Sequence, residues 1–323
     1  MSETLSVALC TYNGARHLPA LLNSLAGQRR LPDELLVWDD GSTDATQELI
    51  TAFGERAPFV VRWYRQKQQL GPAANFVAAA QHARGEWIAF CDQDDVWHPD
   101  KLTRVLAASQ EYSDTAAVFC NARLVDVNGC PLGHTLWQRV SFTPREQTTL
   151  SAGTPWQIFV RHPVVSGAGL VIHARVRDCL APIADRWMHD AWAALVAAAS
   201  GPVVSIAEPL FDYRQHEANV IGARPHTLTD LWETLRTLDR ETYLQTECQR
   251  WDALATKLAS LPESRFKQAT ANAVAAKLEH LNRRHKFSSA RRRRWREVAR
   301  EWRGGDYRRF TKGWGPLLAD LFL

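Results

Sequence analysis

The first 120 residues of this chain alternate between two hydrophobic periods. Short apolar runs typical of buried strands cover residues 5–10, 35–38, 59–64, 87–91 and 116–119. Apolar positions three and four residues apart, which predict helices, lie between them in residues 18–25, 43–53, 73–83 and 99–108. Strands that alternate with helices of this length predict βαβ units. We therefore expect an α/β fold whose mostly parallel central sheet is flanked by helices.

The pattern is less regular after residue 120. Residues 121–151 predict a hairpin followed by a loop, and residues 187–199 predict a helix. Residues 191–211 are apolar enough to raise the question of a membrane span. The dipeptide Gly201-Pro202 instead predicts that a helix breaks there and a strand follows, so we expect no spanning helix.

The strand pattern disappears near the end of the chain. One face of an amphipathic helix is marked by Leu228, Leu231, Trp232, Leu235 and Leu238. Further helices are predicted from there to the last residue. We place a boundary at residue 225, with a catalytic domain in residues 1–225 and a helical, basic region in residues 226–323.

Polar residues suited to ligand binding directly follow three of the predicted strands. Thr11-Tyr12-Asn13 follows the first strand, Asp39-Asp40 the second, and Asp92-Gln93-Asp94-Asp95 the fourth. Ligands of open parallel sheets bind outside the carboxyl ends of the strands. The three segments are therefore expected to meet at one edge of the sheet and to form a single site.

The acidic segment 92–95 is the central chemical feature. Three carboxylates within four residues at the end of a buried strand repel one another, so we expect a cation to offset the repulsion. Aspartates are hard oxygen ligands for Mg²⁺ or Mn²⁺, and such ions commonly bridge carboxylates to a substrate diphosphate. The alternative is a solvated acidic turn that caps the following helix.

A second acidic segment, residues 39–44 (Asp-Asp-Gly-Ser-Thr-Asp), has two interpretations. A carboxylate at a strand end can accept a hydrogen bond from a base N–H or a ribose hydroxyl. The small and polar residues of the segment are equally suited to a turn and a helix N-cap. Both can hold, with Asp40 binding and Ser42 or Thr43 capping.

These segments together resemble the family 2 glycosyltransferases of the GT-A fold. The matching runs, in order, are residues 9–14 (Leu-Cys-Thr-Tyr-Asn-Gly), 39–44 and 91–97 (Cys-Asp-Gln-Asp-Asp-Val-Trp). The likeness extends through residue 220. The resemblance implies a GT-A catalytic domain that binds a nucleotide-diphosphate sugar and carries an α-helical C-terminal extension.

The resemblance also implies roles in the donor site. Tyr12 would pack on the nucleotide base, Asp40 would read the base edge, and Gly71 would belong to a glycine loop that borders the donor. Without the resemblance, Gly71-Pro72 would be a plain turn before a helix. The predicted donor-binding residues are Thr11, Tyr12, Asn13, Asp39, Asp40, Gly71, Asn75, Asp92, Gln93 and Arg214.

The metal ligands that the resemblance implies are Asp92, Asp94 and His216, with Mg²⁺ or Mn²⁺ as the cofactor. Asp94 is the expected direct ligand of the family's DxD motif. His216 occupies the place of a late histidine that approaches the metal or the diphosphate in related enzymes, although a lone histidine is more often structural. Arg214 could also reach a phosphate.

The dipeptide His189-Asp190 resembles the element that supplies the family's catalytic base. An acceptor hydroxyl that attacks an anomeric carbon must lose a proton, and a carboxylate at hydrogen-bond distance can take it. We assign Asp190 as this base. From the residues alone, the alternative is that Asp190 caps a helix, which is the more common role of an Asp before an apolar run.

The mechanism that the resemblance implies is an inverting single displacement with metal assistance. The processive members carry a QxxRW signature, and its absence after Asp190 favours the addition of one sugar. Residues 91–97, 189–190 and 213–216 look most like bacterial rhamnosyltransferases of surface-polysaccharide (O-antigen) synthesis. We therefore expect dTDP-rhamnose as donor and a glycan or lipid-linked oligosaccharide as acceptor. A UDP-hexose or galactofuranose donor is the alternative.

The basic charge of the chain is concentrated near its end. Residues 283–312 contain thirteen Lys or Arg and three acids, a local net of +10, so the total of +4 leaves −6 for the remainder. Trp295, Val298, Ala299 and Trp302 share one helical face among arginines. This face suits an anionic membrane surface, and the alternative is a helix packed on the catalytic domain with a solvated arginine face.

Other classes of protein fit less well. The acidic remainder and the lack of a recognised motif argue against nucleic-acid binding. A nucleotidyltransferase usually needs a glycine-rich basic loop after its first strand, where this chain has residues 11–16 (Thr-Tyr-Asn-Gly-Ala-Arg). A non-catalytic sugar-nucleotide binder stays open. Six scattered cysteines and no secretory signal predict reduced thiols in a cytoplasmic protein, with peripheral contact to the inner membrane face.

Overall fold

A computed structural model gives the structure of residues 3–215 and 239–323. Its strands are β1 (Leu5–Thr11), β2 (Glu34–Asp39), β3 (Val60–Arg65), β4 (Trp87–Asp92), β5 (Val96–Trp97), β6 (Ala117–Val125), β7 (Pro131–Thr135), β8 (Leu170–His173) and β9 (Val203–Arg214). Within the described residues they form a nine-stranded sheet in the order β3-β2-β1-β4-β8-β6-β9-β5, and β7 pairs with β6.

Helices cover both faces of the sheet. Those of the first 215 residues are α1 (Leu18–Ala26), α2 (Thr46–Gly54), α3 (Pro72–His82), α4 (Lys101–Ser109), α5 (Leu136–Arg139), α6 (Pro144–Ser151), α7 (Trp156–Phe159), α8 (Ala174–Arg177) and α9 (His189–Ser200). Those that follow residue 239 are α10 (Arg240–Ala259), α11 (Arg265–His285), α12 (Arg291–Gly304), α13 (Asp306–Phe310) and α14 (Gly315–Phe322).

The predicted α/β fold is confirmed, with one correction to the strand directions. Strands β3, β2, β1 and β4 run parallel, as the pattern of the first segment predicts. Strand β8 is antiparallel to both β4 and β6, and the short strands β5 and β7 also pair antiparallel. This half of the sheet is mixed because the chain re-enters it in both directions after residue 116, without repeated βαβ crossovers.

The sheet separates two apolar layers. Leu5, Val7 and Leu9 of β1 pack on the side of α1, α2 and α4, while Ala8 and Cys10 face α3 and α9. Alternate residues of a strand point to opposite faces, so a strand covered on both sides must be apolar throughout. This is why the first strand appears in the sequence as an uninterrupted apolar run.

The C-terminal helices share the core of the catalytic domain. Ten of the twelve residues of α9 are buried, because the sheet covers one side of this helix and α10 and α11 cover the other. Leu254 and Val274 belong to the same apolar cluster as Trp192 of α9. A helix that is apolar on all sides must be covered on all sides.

Polar contacts fix the end of the chain to the catalytic domain. The Lys312 ammonium donates to the Ser141 carbonyl at 2.6 Å and lies 3.3 Å from a carboxylate oxygen of Glu146. Arg161 forms an ion pair with Glu146 at 3.1 Å and donates to the Thr311 carbonyl at 3.2 Å. The segment around residue 312 is therefore docked on α6 and α7.

Residues 121–151 depart in part from the prediction. The hairpin is present as β6 and β7, but α5 and α6 replace the expected loop. Each helix begins with a capping box, formed by Thr135 with Gln138 and by Thr143 with Glu146. The Thr-Pro-Arg-Glu sequence at residue 143 is a recognisable helix start, because the threonine caps and the proline fits the first turn.

The apolar stretch 191–211 folds as predicted: α9 stops at Gly201 and β9 follows. Among the residues that the structure describes, no helix combines the length and the apolar character needed to cross a membrane. The amphipathic helix predicted at residues 228–238 and the boundary at residue 225 lie outside the described residues. The division into residues 1–225 and 226–323 therefore stays a prediction.

The apolar face predicted for the basic helix α12 is divided. Val298 is buried and packs in a small cluster with Tyr307 and Leu317. Trp295 and Trp302 are 45% and 48% exposed. The helix thus packs on its C-terminal neighbours through Val298 and presents two indole rings to solvent.

Candidate active site

The register of the parallel strands brings the predicted segments together. Thr11 at the end of β1 lies opposite Asp39 at the end of β2. Cys10 of the same strand lies opposite Asp92 at the end of β4. The structure therefore places all three segments at one edge of the sheet, as the strand pattern predicts.

Asp39 organises the turn that follows β2. Its side chain is fully buried, and its carboxylate accepts hydrogen bonds from the Thr11 hydroxyl at 2.8 Å and the Ser42 N–H at 2.8 Å. The Gly41 N–H donates to it at 3.2 Å, and the Ser42 hydroxyl is a further donor. These bonds orient the carboxylate toward the turn that follows β2. Direct contact between Asp39 and the donor stays a prediction.

Asn13 joins the loops that follow β1 and β2. Its backbone is left-handed (φ 49°), a conformation that asparagine adopts more readily than most residues. Its side-chain carbonyl accepts from the Thr43 N–H at 2.8 Å, and its own N–H donates to the Ser42 hydroxyl at 2.9 Å. These bonds hold the backbone beside Tyr12 in place.

Gln93 connects the loop after β1 to the acidic segment. Its side-chain carbonyl accepts from the Tyr12 N–H at 2.9 Å, and its amide donates to the Tyr12 carbonyl at 3.1 Å. A Cβ on Gly14 would lie 2.3 Å from Gln93 Oε1, so this contact requires glycine. The Tyr12 ring stays 46% exposed, which leaves it available to stack on a flat ligand.

Asp40 holds the predicted glycine loop. Its carboxylate accepts from the Leu70 N–H at 2.8 Å and the Gly71 N–H at 2.9 Å, and Gly71 has a positive φ of 78°. Asp40 is only 4% exposed, and its contact with a donor stays a prediction. Asn75 is buried in α3 and donates to the Trp38 carbonyl at 3.0 Å. Asn75 thus anchors the loop's helix to β2.

Three carboxylates crowd the end of β4. Burial and the charges of Asp94 and Asp190 raise the pKa of Asp92. Burial, followed by Asp94 and Asp92, raises the pKa of Asp95, and its Oδ2 is buried without a hydrogen-bond partner among the described residues. These groups interact unfavourably as anions, as the sequence predicts, and a cation at this position would relieve the repulsion.

The acidic segment fits a divalent cation that is shared with a substrate. Its ligands would be hard carboxylate oxygens of Asp92 and Asp94, which suit Mg²⁺ or Mn²⁺. The protein side chains alone do not form a tight cage there. In residues 3–215 and 239–323, the group of three such ligand atoms within 4.8 Å of one another is His280, Glu301 and Asp306. Mg²⁺ typically completes its shell with water and substrate phosphates.

The group at His280 has another explanation. The Arg283 guanidinium donates to Glu301 at 2.7 Å and to Asp306 at 2.8 Å, and His280 lies 2.8 Å from Glu301. Because the Arg283 guanidinium already pairs with both carboxylates, hydrogen bonds account for this grouping without a metal ion. These residues form an ion-pair network between α11, α12 and α13.

Lys101 is a residue of the site that the sequence analysis missed. It is fully buried, and its ammonium donates to the Ala168 carbonyl at 2.6 Å and lies 3.3 Å from the centre of the Trp97 ring. Burial lowers its pKa, while the nearby carboxylates of Asp95 and Asp92 act in the opposite direction. The positive charge of Lys101 therefore offsets the negative charge of the acidic segment, and its hydrogen bond to Ala168 fixes residues 167–169.

Arg214 ties the acidic segment to the second half of the sheet. Its Nε donates to the Asp94 carbonyl at 3.0 Å, and a terminal nitrogen donates to the Val127 carbonyl at 3.0 Å. The backbone N–H of Arg214 donates to the Asp95 carboxylate at 3.3 Å. The side chain is thus beside the predicted metal ligands. The other late candidate, His216, lies outside the described residues, so its role stays a prediction.

Asp190 lies in the first turn of α9, close enough to Asp92 to raise its pKa. Met188 holds the N-cap position, while the Asp190 carboxylate accepts from the Ala191 N–H at 2.6 Å in the first helical turn, so the roles of base and of helix cap both stay predictions. Burial raises the pKa of Asp190 to about 6, although the N–H groups of Ala191 and Gly167 counteract this. Asp190 is therefore a carboxylate with a raised proton affinity, close to the predicted metal ligand Asp92.

His189 and Gly167 fix the start of α9. The imidazole stacks on Phe76 with ring centres 3.9 Å apart, and burial lowers its pKa to about 3, so the ring is neutral. A Cβ on Gly167 would lie 2.3 Å from His189 Nε2. The backbone of Gly167 can therefore lie close to His189 and hydrogen-bond Asp190 only because Gly167 has no side chain.

Replacement of Gly167 by alanine should damage both stability and activity. The added methyl group collides with an imidazole that is clamped against Phe76, so helix α9 or residues 167–169 must move. We expect the free energy of unfolding to fall by about 1–3 kcal/mol and kcat to fall with it. Denaturant unfolding checks the first effect. Gly304→Ala, where no atom lies within 4 Å and φ is not positive, is the control without a collision.

Residues 6–164 of the chain match the family described as glycosyl transferase family 2. An uncharacterized glycosyltransferase of Nostoc sp. is 32% identical over 219 residues, which are 67% of this chain and 66% of that protein. Abequosyltransferase RfbV of Salmonella typhimurium is 33% identical over 115 residues, 35% of this chain and 33% of RfbV. The chain thus spans just under two thirds of the first relative's length and a third of the second's.

Two solved structures share the fold. TarS 1–349 of S. aureus in complex with UDP-GlcNAc matches with a TM-score of 0.53 and 18% identity, over 95% of this chain and 89% of that one. The mannosyltransferase PcManGT of Pyrobaculum calidifontis, in complex with GDP-Man and Mn²⁺, matches with a TM-score of 0.53 and 17% identity, over 99% and 86%. These likenesses establish the GT-A fold of the chain.

Proposed function

We propose that this chain, whose residues 6–164 match glycosyl transferase family 2, is an inverting, metal-dependent enzyme that transfers a single sugar from a nucleotide-diphosphate donor to an acceptor hydroxyl. One observation carries the proposal. The Ala168 N–H donates to Asp92 and the N–H of the preceding residue, Gly167, donates to Asp190, so two consecutive residues link a predicted metal ligand to the predicted base.

The residues divide the work between donor and acceptor. Tyr12 stacks on the base, and Asp40 and Gly71 border the nucleotide. A divalent ion held by Asp92 and Asp94 would supply positive charge beside the leaving diphosphate. Asp190 accepts the proton of the acceptor hydroxyl as that oxygen attacks the anomeric carbon from the opposite face.

We propose dTDP-rhamnose as the donor and a surface-polysaccharide precursor as the acceptor. The support is the set of runs described above together with the similarity to RfbV, an enzyme named for the transfer of abequose. A UDP-hexose is the second candidate, because TarS, which shares the fold, binds UDP-GlcNAc. The Mn²⁺ beside GDP-Man in PcManGT supports the metal.

A donor panel tests the proposed activity. The chain is incubated with Mn²⁺ and dTDP-rhamnose, UDP-glucose, UDP-GlcNAc, UDP-galactofuranose or GDP-mannose, and the release of nucleoside diphosphate is measured. We expect release from dTDP-rhamnose above the rate without protein. Release from a UDP-sugar alone would overturn the donor and keep the transferase. A lack of release from every donor, with and without lipid-linked acceptor extracts, would contradict the activity.

The activity should have an acidic limb near pH 6. The base must be ionised to accept a proton, and burial raises the pKa of Asp190 to about 6. The reaction is therefore expected at full rate above this pH and tenfold slower for each unit below it. A profile of kcat/KM against pH reports this pKa, and nucleotide binding over the same range is the control. A rate that does not fall as the pH is lowered from 7 to 4 would contradict the assignment.

We further propose that α12 contacts an anionic membrane surface. The support is the pair of exposed rings Trp295 and Trp302 on a helix whose arginines include the exposed Arg292 and Arg296. An acceptor with a lipid carrier would be held at such a surface. The enzyme would then act at the inner face of the cytoplasmic membrane.

Vesicle binding should depend on these arginines. Each basic residue near an anionic surface contributes about 1 kcal/mol, so Arg292→Gln/Arg296→Gln should weaken binding by an order of magnitude or more. Arg56→Gln/Arg104→Gln, at exposed positions far along the chain, is the matched control. Co-sedimentation with phosphatidylglycerol vesicles measures the effect. Equal binding to neutral vesicles at high salt would contradict the contact.

A further inference from the structure

A cavity of about 330 Å³ lies between the catalytic domain and the C-terminal helices. Residues 159–165, the first turns of α9, and α10 and α11 form its walls. Asp190 and Gly167 are not among its lining residues, but their chain neighbours are. Ala191, which directly follows Asp190, lines it, and so does Val165, two residues before Gly167, whose N–H contacts Asp190.

The charge of this cavity is opposite to that of the acidic segment. Its described lining includes the basic side chains Arg161, Arg250, Lys277, Arg284 and Lys312, and one carboxylate, Glu247. Nearby acids balance part of this charge. Glu146 pairs with both Arg161 and Lys312, and Asp320 pairs with Arg284. The cations still exceed the acids, which a closed structural network would not require.

Lys277 and Arg250 are the least compensated of these groups. Lys277 is buried, and its ammonium donates to the Phe310 carbonyl. Burial lowers its pKa to about 7. Arg250 pairs with Glu247, but its Nε is buried without a partner among the described residues. In the part of the chain that the structure describes, the Arg250 Nε is a buried donor without an acceptor, which destabilises the folded protein unless a ligand supplies the acceptor.

Aromatic rings form another part of the wall. Trp187 and Trp251 contact edge to face, with ring centres 5.2 Å apart, and the Arg250 guanidinium lies 4.0 Å from the centre of the Trp187 ring. Aromatic surfaces pack against the apolar faces of sugar rings, while cations bind phosphate or carboxylate oxygens. Trp187 and Trp251 are only 2% and 5% exposed, and Arg250 and Lys277 lie over their rings, so the charged side chains favour an anionic sugar over a neutral one.

We propose that this cavity binds the anionic part of the acceptor, a sugar phosphate or an acidic sugar, so that the neighbouring hydroxyl meets Asp190. The inference rests on the proposed function, because it takes Asp190 as the base. The acid-rich edge of the sheet would then take the donor with its cation. The cation-rich cavity would take the acceptor, which separates the two anionic substrates by charge.

Three probes that differ in one group test the proposal. Glucose 1-phosphate, methyl glucuronide and methyl glucoside are titrated into the full chain, with the donor site filled by nucleoside diphosphate and Mn²⁺, and binding is followed by calorimetry. We expect one of the two anionic probes to bind at least tenfold more tightly than methyl glucoside. The phosphate or the carboxylate probe identifies the source of the charge. Equal binding of all three, or of none, would overturn the inference.

Variants locate the binding. Lys277→Met should weaken the anionic probe at least tenfold, and Arg250→Gln is the second variant if the first does not fold. Lys257→Met is the matched control, because Lys257 also donates to a backbone carbonyl, that of Ala181, outside the cavity. Undiminished binding by both cavity variants would overturn the site. Nucleotide binding is measured on every protein: its absence in the wild type would contradict the proposed function, whereas its presence without probe binding contradicts the cavity alone.

Discussion

Asp190→Asn should abolish sugar transfer while nucleotide binding stays close to that of the wild type. The amide has nearly the same shape as the carboxylate, and the helix start is held by the stacked His189, so the fold should persist. The lost function is proton acceptance, which contributes about 10²–10⁴-fold to rates of this kind. We expect kcat to fall by at least a hundredfold, measured as sugar transfer under saturating donor.

Asp185→Asn is the matched control for this prediction. Asp185 precedes the same helix and is exposed, so its loss should leave kcat within twofold of the wild type. If Asp190→Asn keeps more than a tenth of the wild-type kcat, less than about 1.4 kcal/mol of barrier has been lost. The assignment of the base would then be wrong.

The second large effect is expected at the predicted metal ligands. Asp94→Asn should lower kcat/KM by two or more orders of magnitude, because the ion that offsets charge on the leaving diphosphate would lose a ligand. The acceptor-side cavity is separate, so probe binding there should be unchanged. Initial rates at several Mn²⁺ concentrations measure the effect. We expect excess Mn²⁺ to restore part of the loss.

Asp114→Asn provides the comparison, since Asp114 is exposed and its side chain lies outside the acidic segment. The metal assignment fails if Asp94→Asn and Asp114→Asn have the same Mn²⁺ dependence as the wild type. Asp92→Asn offers a second view of the same site. Burial and the charges of Asp94 and Asp190 raise the pKa of Asp92. The neutral amide of Asn should therefore relieve repulsion and increase the stability of the fold while it reduces turnover.

Much of the site could be predicted because strand direction fixes it. A parallel sheet brings the ends of β1, β2 and β4 to one edge whatever the loops do. Residues that directly follow a strand, such as Tyr12 and Asp92, are therefore assigned by position. Their chemistry can be judged from the sequence without knowledge of distant contacts.

The contacts that the sequence analysis missed depend on distant parts of the chain. Lys101 looks like any polar residue of an amphipathic helix, and its role depends on the Ala168 carbonyl, 67 positions away. Asp39 and Asp40 are adjacent in an acidic turn, yet one is enclosed by N–H groups and the other holds the glycine loop. Composition cannot separate two such neighbours.

The cation-rich cavity could not be predicted from the sequence either. Its cations come from the segment that follows α7, from α10 and α11, and from the segment around residue 312, none of which forms a motif. The charge pattern of the sequence points instead to the arginines of residues 291–294, which lie on α12. The cations that line the cavity belong to a different set, which includes Arg250 and Lys277.

The metal-dependent nucleotide site at the strand ends is best tested by thermal stabilisation. The measurement compares the wild type with Asp94→Asn. Each protein is heated with dTDP, UDP, GDP or CMP, with and without Mn²⁺. A ligand at about 100 times its Kd stabilises by roughly 2.7 kcal/mol. The account predicts that one nucleoside diphosphate raises the melting temperature of the wild type only with Mn²⁺, and that Asp94→Asn loses this shift. No shift with any nucleotide, or an equal shift in both proteins, would contradict a metal-dependent nucleotide site at the strand ends.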